Sequence, residues 1–524
     1  MKVKMKRLPI DVSDFRTMIE GDYLYVDKTK QIYDLITQGR FYFLSRPRRF
    51  GKSLLVSTLK EIFLGEKDIF DTLLIGKSNY SWEKHPVIHL DFSSIPHETV
   101  QSLETNLVNR LALIGQQYDI ILQDRSKPEV ALYELVTKLG KKSKVVILVD
   151  EYDYPILKHI TDLEKAVEIQ NVLRNFYTTI KGLDGYLRFV LLTGVTKFSK
   201  TSIFSGLNNL NDISLDLMGS TLLGYTEHEV ERYFSTYINL FAQEKKRSIK
   251  SIMAEMKDWY NGYKFCGNKV AERVYNPFSV LYYLYKQERK NYWFESGTPS
   301  FLISLLKKKY HDKALDDFDK VIISDEAISA FDVEKIPLMT LLFQTGYLTI
   351  KSYDNQYHMY TLSLPNEEVR ISLHKYLLSI ASDIDKPKID LLVFEIKKTL
   401  EDSNIALFIA HLSTLFAGIP YHLIVNNEAY WHSLVHIIAT LIGFEVLSEV
   451  ATSKGRADCI MVLKKQIFIF EFKFNGTGQE ALEQIQDKKY YEKYLIKHKQ
   501  ITLVGISFNY KDKELMLDWI KKDL

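Results

Sequence analysis

Arg46-Pro47-Arg48-Arg49-Phe50-Gly51-Lys52-Ser53 follows a short apolar run, Phe41-Tyr42-Phe43-Leu44, and precedes a stretch with helical spacing that ends near Phe63. This order of strand, loop and helix matches the phosphate-binding pattern G-x-x-x-x-G-K-[ST]. In that pattern, backbone N–H groups at the positive end of the helix surround phosphate oxygens, a lysine reaches the terminal phosphates, and a hydroxyl binds Mg²⁺. The sequence therefore predicts a nucleotide-binding loop.

The predicted nucleotide contacts are the loop residues apart from Pro47, namely Arg46, Arg48, Arg49, Phe50, Gly51, Lys52 and Ser53. Ser53 is also a predicted Mg²⁺ ligand, and Arg46 stands where the pattern has its first glycine. Gly-Lys-Ser also occurs in ordinary basic loops, so a second element is needed to support the prediction.

A buried strand supplies that second element. Val145-Val146-Ile147-Leu148-Val149 is uniformly apolar and ends in Asp150-Glu151. At this position Asp150 would hold Mg²⁺ and Glu151 would polarise the attacking water. Thr193 and Thr196 follow the next apolar run, and either is a candidate sensor of the γ-phosphate. The competing explanations are two solvated acids at a strand exit and a polar turn at Thr193.

The order of patterns along the chain predicts an α/β protein with three domains. Short apolar runs alternate with helical patterns up to about residue 215, which indicates a parallel sheet. Helical periodicity then dominates, and the last 120 residues or so are predicted as a helix, three strands, a helix and a final strand. We predict a P-loop NTPase domain at 1–220, a helical, winged-helix-like domain at 221–385 and a restriction-endonuclease-like α/β domain at 386–524.

Near the C-terminus, carboxylates recur at matching positions of two predicted hairpins. A turn centred on Lys464-Lys465 places Asp458 opposite Glu471, with Lys473 on the same face as Glu471. A loop at 452–455 places Glu449 opposite Asp458. Opposed like charges destabilise a sheet unless a cation neutralises them. The pattern predicts a metal held by Asp458 and Glu471, with Lys473 acting on the water and the scissile phosphate; a charged edge strand is the competing explanation.

These motifs resemble those of the bacterial AAA-ATPase-like family, whose members carry a C-terminal PD-(D/E)XK nuclease-like domain. The resemblance rests on the loop at 46–53, on Tyr25-Val26-Asp27-Lys28-Thr29, on Asp150-Glu151-Tyr152-Asp153, and on the later segments Trp259–Tyr263, Tyr275–Phe278 and Leu364–Arg370. It implies ATP and Mg²⁺ or Mn²⁺ as cofactors, DNA as the partner, and accessory roles for Glu428 and Gln484. Arginine in place of the first glycine is usual in this family.

Composition limits the alternatives only broadly. The chain has 524 residues, a formal net charge of +3 and two cysteines without CxxC spacing, so neither a disulfide framework nor a structural zinc site is expected. We expect a cytoplasmic protein without a signal peptide or membrane span.

Two hypotheses of different class remain: an ATPase coupled to a metal-dependent nuclease, and a nucleotide-dependent switch whose nuclease-like domain binds a partner without cleaving it. The sequence leaves the oligomeric state open.

Overall fold

The computed structural model describes residues 5–198, 203, 207, 209–297, 302, 318, 320–329, 332–382, 384–417, 428–442, 445–452, 455–463, 465–497, 499–511 and 514–524. The chain divides into two compact units. Unit 1 comprises Met1–Ile303 and Phe318–Val369, and unit 2 comprises Ser304–Asp317 and Arg370–Leu524. The three domains expected from the sequence divide the chain differently, and their boundaries stay predictions.

Unit 1 is built on a parallel sheet whose five described strands lie in the order β2-β3-β4-β1-β5. The strands are β1 (Phe41–Ser45), β2 (Val87–Asp91), β3 (Val145–Asp150), β4 (Leu187–Gly194) and β5 (Asn211–Asp212). Every residue of β3 is buried, as its uniformly apolar sequence predicts for a strand covered on both faces. β4 lies between β1 and β3, so the phosphate loop and Asp150 stand one strand apart.

Helices follow and surround these strands. They are α1 (Phe15–Glu20), α2 (Thr29–Gln38), α3 (Lys52–Phe63), α4 (Val100–Gln116), α5 (Pro128–Gly140), α6 (Tyr154–Lys158), α7 (Leu163–Gly182), α8 (Leu217–Ser220), α9 (Glu227–Glu244), α10 (Ile249–Tyr260), α11 (Pro277–Lys286), α12 (Tyr292–Gly297), α13 (Asp325–Ser329) and α14 (Leu338–Gln344). Short 3₁₀ helices occur at Lys67–Phe70, Ile75–Lys77, Phe92–Ser94 and Asp184–Tyr186.

The middle of the chain is mainly helical, as expected, but it also contains a small antiparallel sheet. Its described strands, β6 (Val321–Ser324), β7 (Thr349–Asp354) and β8 (Met359–Ser363), lie in the order β6-β8-β7. Local signals fix the helix starts nearby. Asn276 caps α11 by accepting from the Ser279 N–H, with Pro277 at the first helical position, and Thr226 and Glu229 form a capping box on α9.

Unit 2 is built on a mixed sheet with the described strands in the order β13-β12-β11-β10-β9. The strands are β9 (Glu445–Thr452), β10 (Gly455–Val462), β11 (Gln466–Phe474), β12 (Gln500–Lys511) and β13 (Glu514–Asp523). The helices are α15 (Glu367–Ser382), which begins in unit 1, α16 (Lys386–Glu401), α17 (Ile405–Ala417), α18 (Glu428–Ile442) and α19 (Gly478–Lys488), with a 3₁₀ helix at Glu492–Lys497.

The segment α19 crosses between the parallel strands β11 and β12, whereas the other neighbouring strands of this sheet are antiparallel. The expected final strand is therefore followed by one more, β13. Within the parts of the chain described above, we find no helix with both the length and the apolar character that a membrane span requires.

Backbone packing at Gly262 gives a test of unit 1. Gly262 has a φ of +100°, and a Cβ atom there would overlap the carbonyl oxygen of Pro365. We expect Gly262→Ala to lower the free energy of unfolding by about 3 kcal/mol, because left-handed strain and a backbone clash add together. Urea denaturation followed by circular dichroism measures this change.

The matched control is Gly182→Ala, since an added Cβ at this last residue of α7 meets nothing within 4 Å. That variant should keep or slightly raise the wild-type stability. Equal midpoints for the two variants would contradict the packing described at Gly262.

Candidate functional sites

The phosphate loop turns sharply between β1 and α3. Arg49 and Gly51 have φ values of +66° and +98°, and Gly51 is the N-cap residue of α3. The loop therefore reaches its helix with backbone N–H groups at the positive end of the helix dipole. Phe50 anchors the turn from behind, because its ring packs edge-on against Tyr263 and Phe265 at centroid distances of 4.9 and 5.4 Å.

Lys52 is buried and closes this loop on itself. Its Nζ donates to the carbonyl oxygens of Arg46 at 2.9 Å and Pro47 at 3.1 Å. Burial lowers the pKa of Lys52, and the nearby carboxylates of Glu151, Asp150 and Asp153 oppose that shift. The ammonium thus already faces oxygen acceptors of the kind that a phosphate would offer.

Arg46 forms structural contacts that hold the phosphate loop in place. The residue is 2% exposed, and its guanidinium donates to the carbonyl oxygens of Ser45, Ser214 and Gly219 at 2.7–2.8 Å. It also lies 4.2 Å from the ring centroid of Phe265. The Arg46 side chain therefore ties the loop to the segment after β5, and its predicted contact with the nucleotide stays a prediction.

A cavity of about 460 Å³ lies in front of the loop, within the size range of small-molecule sites. Of the predicted nucleotide residues, Arg48, Arg49, Phe50, Gly51, Lys52, Ser53 and Glu151 line it. Tyr25, Val26 and Lys28 line it as well. Lys28 is buried, and its Nζ is held by Glu229 at 2.7 Å and by the carbonyl oxygen of Thr221 at 2.8 Å.

Asp150 and Thr193 lie behind Glu151. The Thr193 hydroxyl donates to Asp150 Oδ1 at 2.6 Å, and the same oxygen accepts from the Glu151 N–H at 3.0 Å. Burial raises the pKa of Glu151, while the Lys52 ammonium opposes the shift. Thr193 therefore orients the acid that ends β3, a contact that the sequence alone did not indicate.

Asp153 is a buried acid beside the site for which the sequence did not suggest a role. Its carboxylate is buried and accepts from the Val195 and Thr196 N–H groups and the Thr196 hydroxyl at 2.6–3.3 Å. It fixes the end of β4 beside the end of β3. A carboxylate two residues beyond Glu151 was the available signal.

The hairpin of unit 2 has the register that the sequence predicts. Cys459 pairs with Phe470 and Ile460 with Ile469, which continues to Asp458 opposite Glu471. In the neighbouring hairpin, Ala457 pairs with Val450, which sets position 449 opposite position 458. Asp458 Oδ2 accepts from the Phe472 N–H at 2.8 Å, so this side chain reaches across to β11.

One glutamine joins the predicted catalytic residues of β11. Gln484 on α19 donates through Nε2 to Glu471 Oε1 and accepts from Lys473 Nζ at 2.5 Å. α19 can approach the sheet this closely because Gly505, the β12 partner of Glu471, has no side chain. A Cβ atom at this position would overlap the Gly478 carbonyl oxygen. Glu471, Gln484 and Lys473 thus form a hydrogen-bonded chain on one face of the sheet.

The remaining candidates of unit 2 differ in what the structure describes. The side chains of Glu428 and Glu449 lie outside the described residues, although their backbones belong to α18 and β9. Tyr490, six residues beyond Gln484, is buried in the apolar cluster around Ile460, Ile485 and Leu503. Burial raises the pKa of the Cys459 thiol to about 12.

The residues present fit a hard divalent cation. Among the described side chains, no group of three or more His, Cys, Asp or Glu residues could hold a metal. Asp458 and Glu471 nevertheless provide two carboxylates on adjacent strands, and Mg²⁺ is commonly held by one or two carboxylates together with water and phosphate oxygens. In unit 1, Ser53 and Asp150 offer a hydroxyl and a carboxylate of the same oxygen type.

Comparisons with known proteins agree with this division. A family model described as a predicted AAA-ATPase matches residues 9–204, and one for the PD-(D/E)XK nuclease superfamily matches residues 426–517. A protein of Azotobacter chroococcum mcd 1, named for its place in the vnfD 5′ region, is 38% identical over 538 residues, covering 99% of each chain. The resemblance seen in the sequence is confirmed: the chain belongs to the family of proteins that join an AAA-ATPase-like domain to a C-terminal domain of the PD-(D/E)XK nuclease superfamily.

Proposed function

We propose that this protein binds and hydrolyses ATP in unit 1 and cleaves DNA with a divalent cation in unit 2. The observation that carries the first half is that Lys52 and Glu151 line one cavity at the N-terminus of α3. For the second half, the supporting observation is the chain Glu471–Gln484–Lys473 beside Asp458.

In unit 1 each residue has a separate task. The backbone at the start of α3 and the Lys52 ammonium bind the phosphates, and Glu151 accepts a proton from the attacking water. Thr193 keeps Asp150 oriented. Ser53 and Asp150 would hold Mg²⁺, which when bound neutralises charge on the phosphates.

In unit 2 the chain residues orient the reaction. Asp458 and Glu471 would hold the cation, which supplies an activated water and stabilises the charge on the scissile phosphate. Gln484 fixes the Glu471 carboxylate by donating to Oε1, and it keeps the Lys473 ammonium on the same face. Lys473 can then donate to a phosphate oxygen as negative charge develops there.

Removing the Lys52 ammonium tests nucleotide binding. Lys52→Ala should weaken ATP binding about 10- to 100-fold, because charge-assisted hydrogen bonds contribute about 1.5–3 kcal/mol. Isothermal titration calorimetry measures the affinity. Lys60→Ala, a change on the same helix away from the cavity, is the control and should bind like the wild type. An unaltered ATP affinity in Lys52→Ala would show that the phosphate-loop assignment is wrong.

The pKa of Glu151 gives hydrolysis a predicted pH dependence. The base works only when ionised, and burial raises its pKa, so kcat should fall on the acidic side at a pH above about 4.3, the ordinary glutamate value. Steady-state ATPase assays across pH measure this limb. Glu151→Gln should lower kcat at least about 100-fold and lose the limb while still binding ATP. A Gln variant with the wild-type profile would exclude Glu151 as the base.

A matrix of cations and substrates tests cleavage. With Mg²⁺ or Mn²⁺ the wild type should cut DNA, and Asp458→Asn, which keeps an acceptor for the Phe472 N–H, should cut at least about 100-fold more slowly. Plasmid, linear and branched DNA and RNA are compared with and without ATP, with EDTA as the metal-free arm.

Glu483→Gln, next to Gln484 on the exposed side of α19, is the matched control and should keep full activity. If the wild type cuts no faster than Asp458→Asn, cleavage is refuted. DNA binding without cleavage in a gel-shift assay would then favour the alternative, a switch that only holds its partner.

A further inference from the structure

Two walls of the nucleotide cavity are held from outside the cavity. The phosphate loop is held at Arg48, whose carbonyl oxygen accepts from the Trp293 indole N–H at 2.9 Å. A second wall is formed by α11, which contributes Pro277, Phe278, Leu281 and Tyr282 to the lining. Trp293 itself is fully buried, so its contact with the loop is shielded from water.

One buried carboxylate connects both walls. Glu368 is 0% exposed; its Oε1 accepts from the Trp293 backbone N–H at 2.6 Å, and its Oε2 accepts from the Ser279 hydroxyl of α11 at 2.8 Å. A buried carboxylate persists only where such donors satisfy it, and removing one partner is costly. A displacement of Trp293 or of α11 therefore changes the hydrogen bonds that the Glu368 carboxylate accepts.

The helix that carries Glu368 is anchored at its start. Asn366 Oδ1 accepts from the Val369 N–H at 3.1 Å, and its Nδ2 donates to the Asn261 carbonyl at 2.7 Å. Glu368 lies in the first turn of α15, and α15 continues from unit 1 beyond Arg370 into unit 2. The hydrogen bonds of Trp293 to Arg48 and Glu368 thus connect the phosphate loop to the first turn of α15, the helix that continues from unit 1 into unit 2.

We propose that Trp293 and Glu368 are positioning residues for the phosphate loop, and that they transmit nucleotide binding from Arg48 to α15. A phosphate that draws on Lys52 competes with the carbonyls of Arg46 and Pro47 and so rearranges the loop next to Arg48. The Trp293 N–H follows the Arg48 carbonyl, and Glu368 carries the displacement into the first turn of α15. Neither residue touches the nucleotide.

This inference rests on the nucleotide binding proposed above, so its readout is independent of nuclease activity. Hydrogen–deuterium exchange of the full chain is measured without nucleotide, with ATP and Mg²⁺, and with ADP and Mg²⁺, while calorimetry gives each affinity. In the wild type, nucleotide should slow exchange in peptides covering the loop and, at least about twofold, in peptides covering 367–382.

Trp293→Phe keeps a buried ring but removes the N–H that Arg48 accepts. It should bind ATP about three- to tenfold more weakly, as expected for one lost hydrogen bond, and its α15 peptides should no longer respond. The control is Trp259→Phe, the same change at a tryptophan that stacks on Arg289, and it should behave like the wild type. Glu368→Gln retains an acceptor for the Trp293 N–H and should keep the response, whereas Glu368→Ala should lose it.

The possible results separate this inference from the proposed ATP binding. Wild-type protein that binds ATP without any change in α15 overturns the inference and leaves the proposed ATP binding intact. The same holds if Trp293→Phe retains both the wild-type affinity and the α15 response. Wild-type protein that binds no nucleotide overturns the proposed function and this inference together.

Discussion

The buried ammonium of Lys52 is the constraint on which unit 1 depends. A lysine side chain that is removed from water must be given acceptors, and here the loop provides its own carbonyl oxygens at Arg46 and Pro47. This forces the loop to curl around the ammonium at the start of α3. The three carboxylates nearby, Asp150, Glu151 and Asp153, oppose the lowering of the Lys52 pKa by burial. The shape that can receive a phosphate is therefore one that Lys52 already requires.

The same constraint explains how the loop is built without its first glycine. A glycine there would leave the backbone free to adopt a tight turn. Arg46 instead uses a long side chain, which binds three carbonyl oxygens and stacks on Phe265, so that side-chain contacts hold the loop. Unit 2 uses neutral polar groups for a comparable task, because Gln484 both donates to Glu471 and accepts from Lys473. In both units, charged side chains are held in place by hydrogen bonds to uncharged polar groups.

The features that could be predicted from the sequence are those whose signal lies within a short stretch of the chain. The uniformly apolar β3 and the short turn between β10 and β11 are local, and they gave the acid Asp150 at a strand end and the register that brings Asp458 opposite Glu471. The contacts of the Arg46 side chain could not be predicted in this way, because its partners, the carbonyl oxygens of Ser214 and Gly219, lie about 170 residues away and are backbone atoms that a sequence pattern does not display. β13 was missed although Leu515, Leu517 and Trp519 alternate with more exposed residues, since lysines and aspartates near the chain end reduce the apolar signal.

Two kinds of contact surround the phosphate loop, aromatic packing and the buried hydrogen bonds of Trp293 and Glu368, and they respond differently to a displacement. Aromatic packing around Phe50, Tyr263 and Phe265 tolerates small shifts, because dispersion changes gradually with distance. A buried hydrogen bond to a carboxylate does not, since it is either formed or leaves an unsatisfied polar group. A displacement therefore breaks or forms hydrogen bonds of this chain as discrete events, whereas the energy of the apolar contacts changes gradually with distance. The hydrogen bonds from Arg48 through Trp293 to Glu368 therefore suit the nucleotide-dependent rearrangement proposed above, and the aromatic packing around them can accommodate it through small shifts.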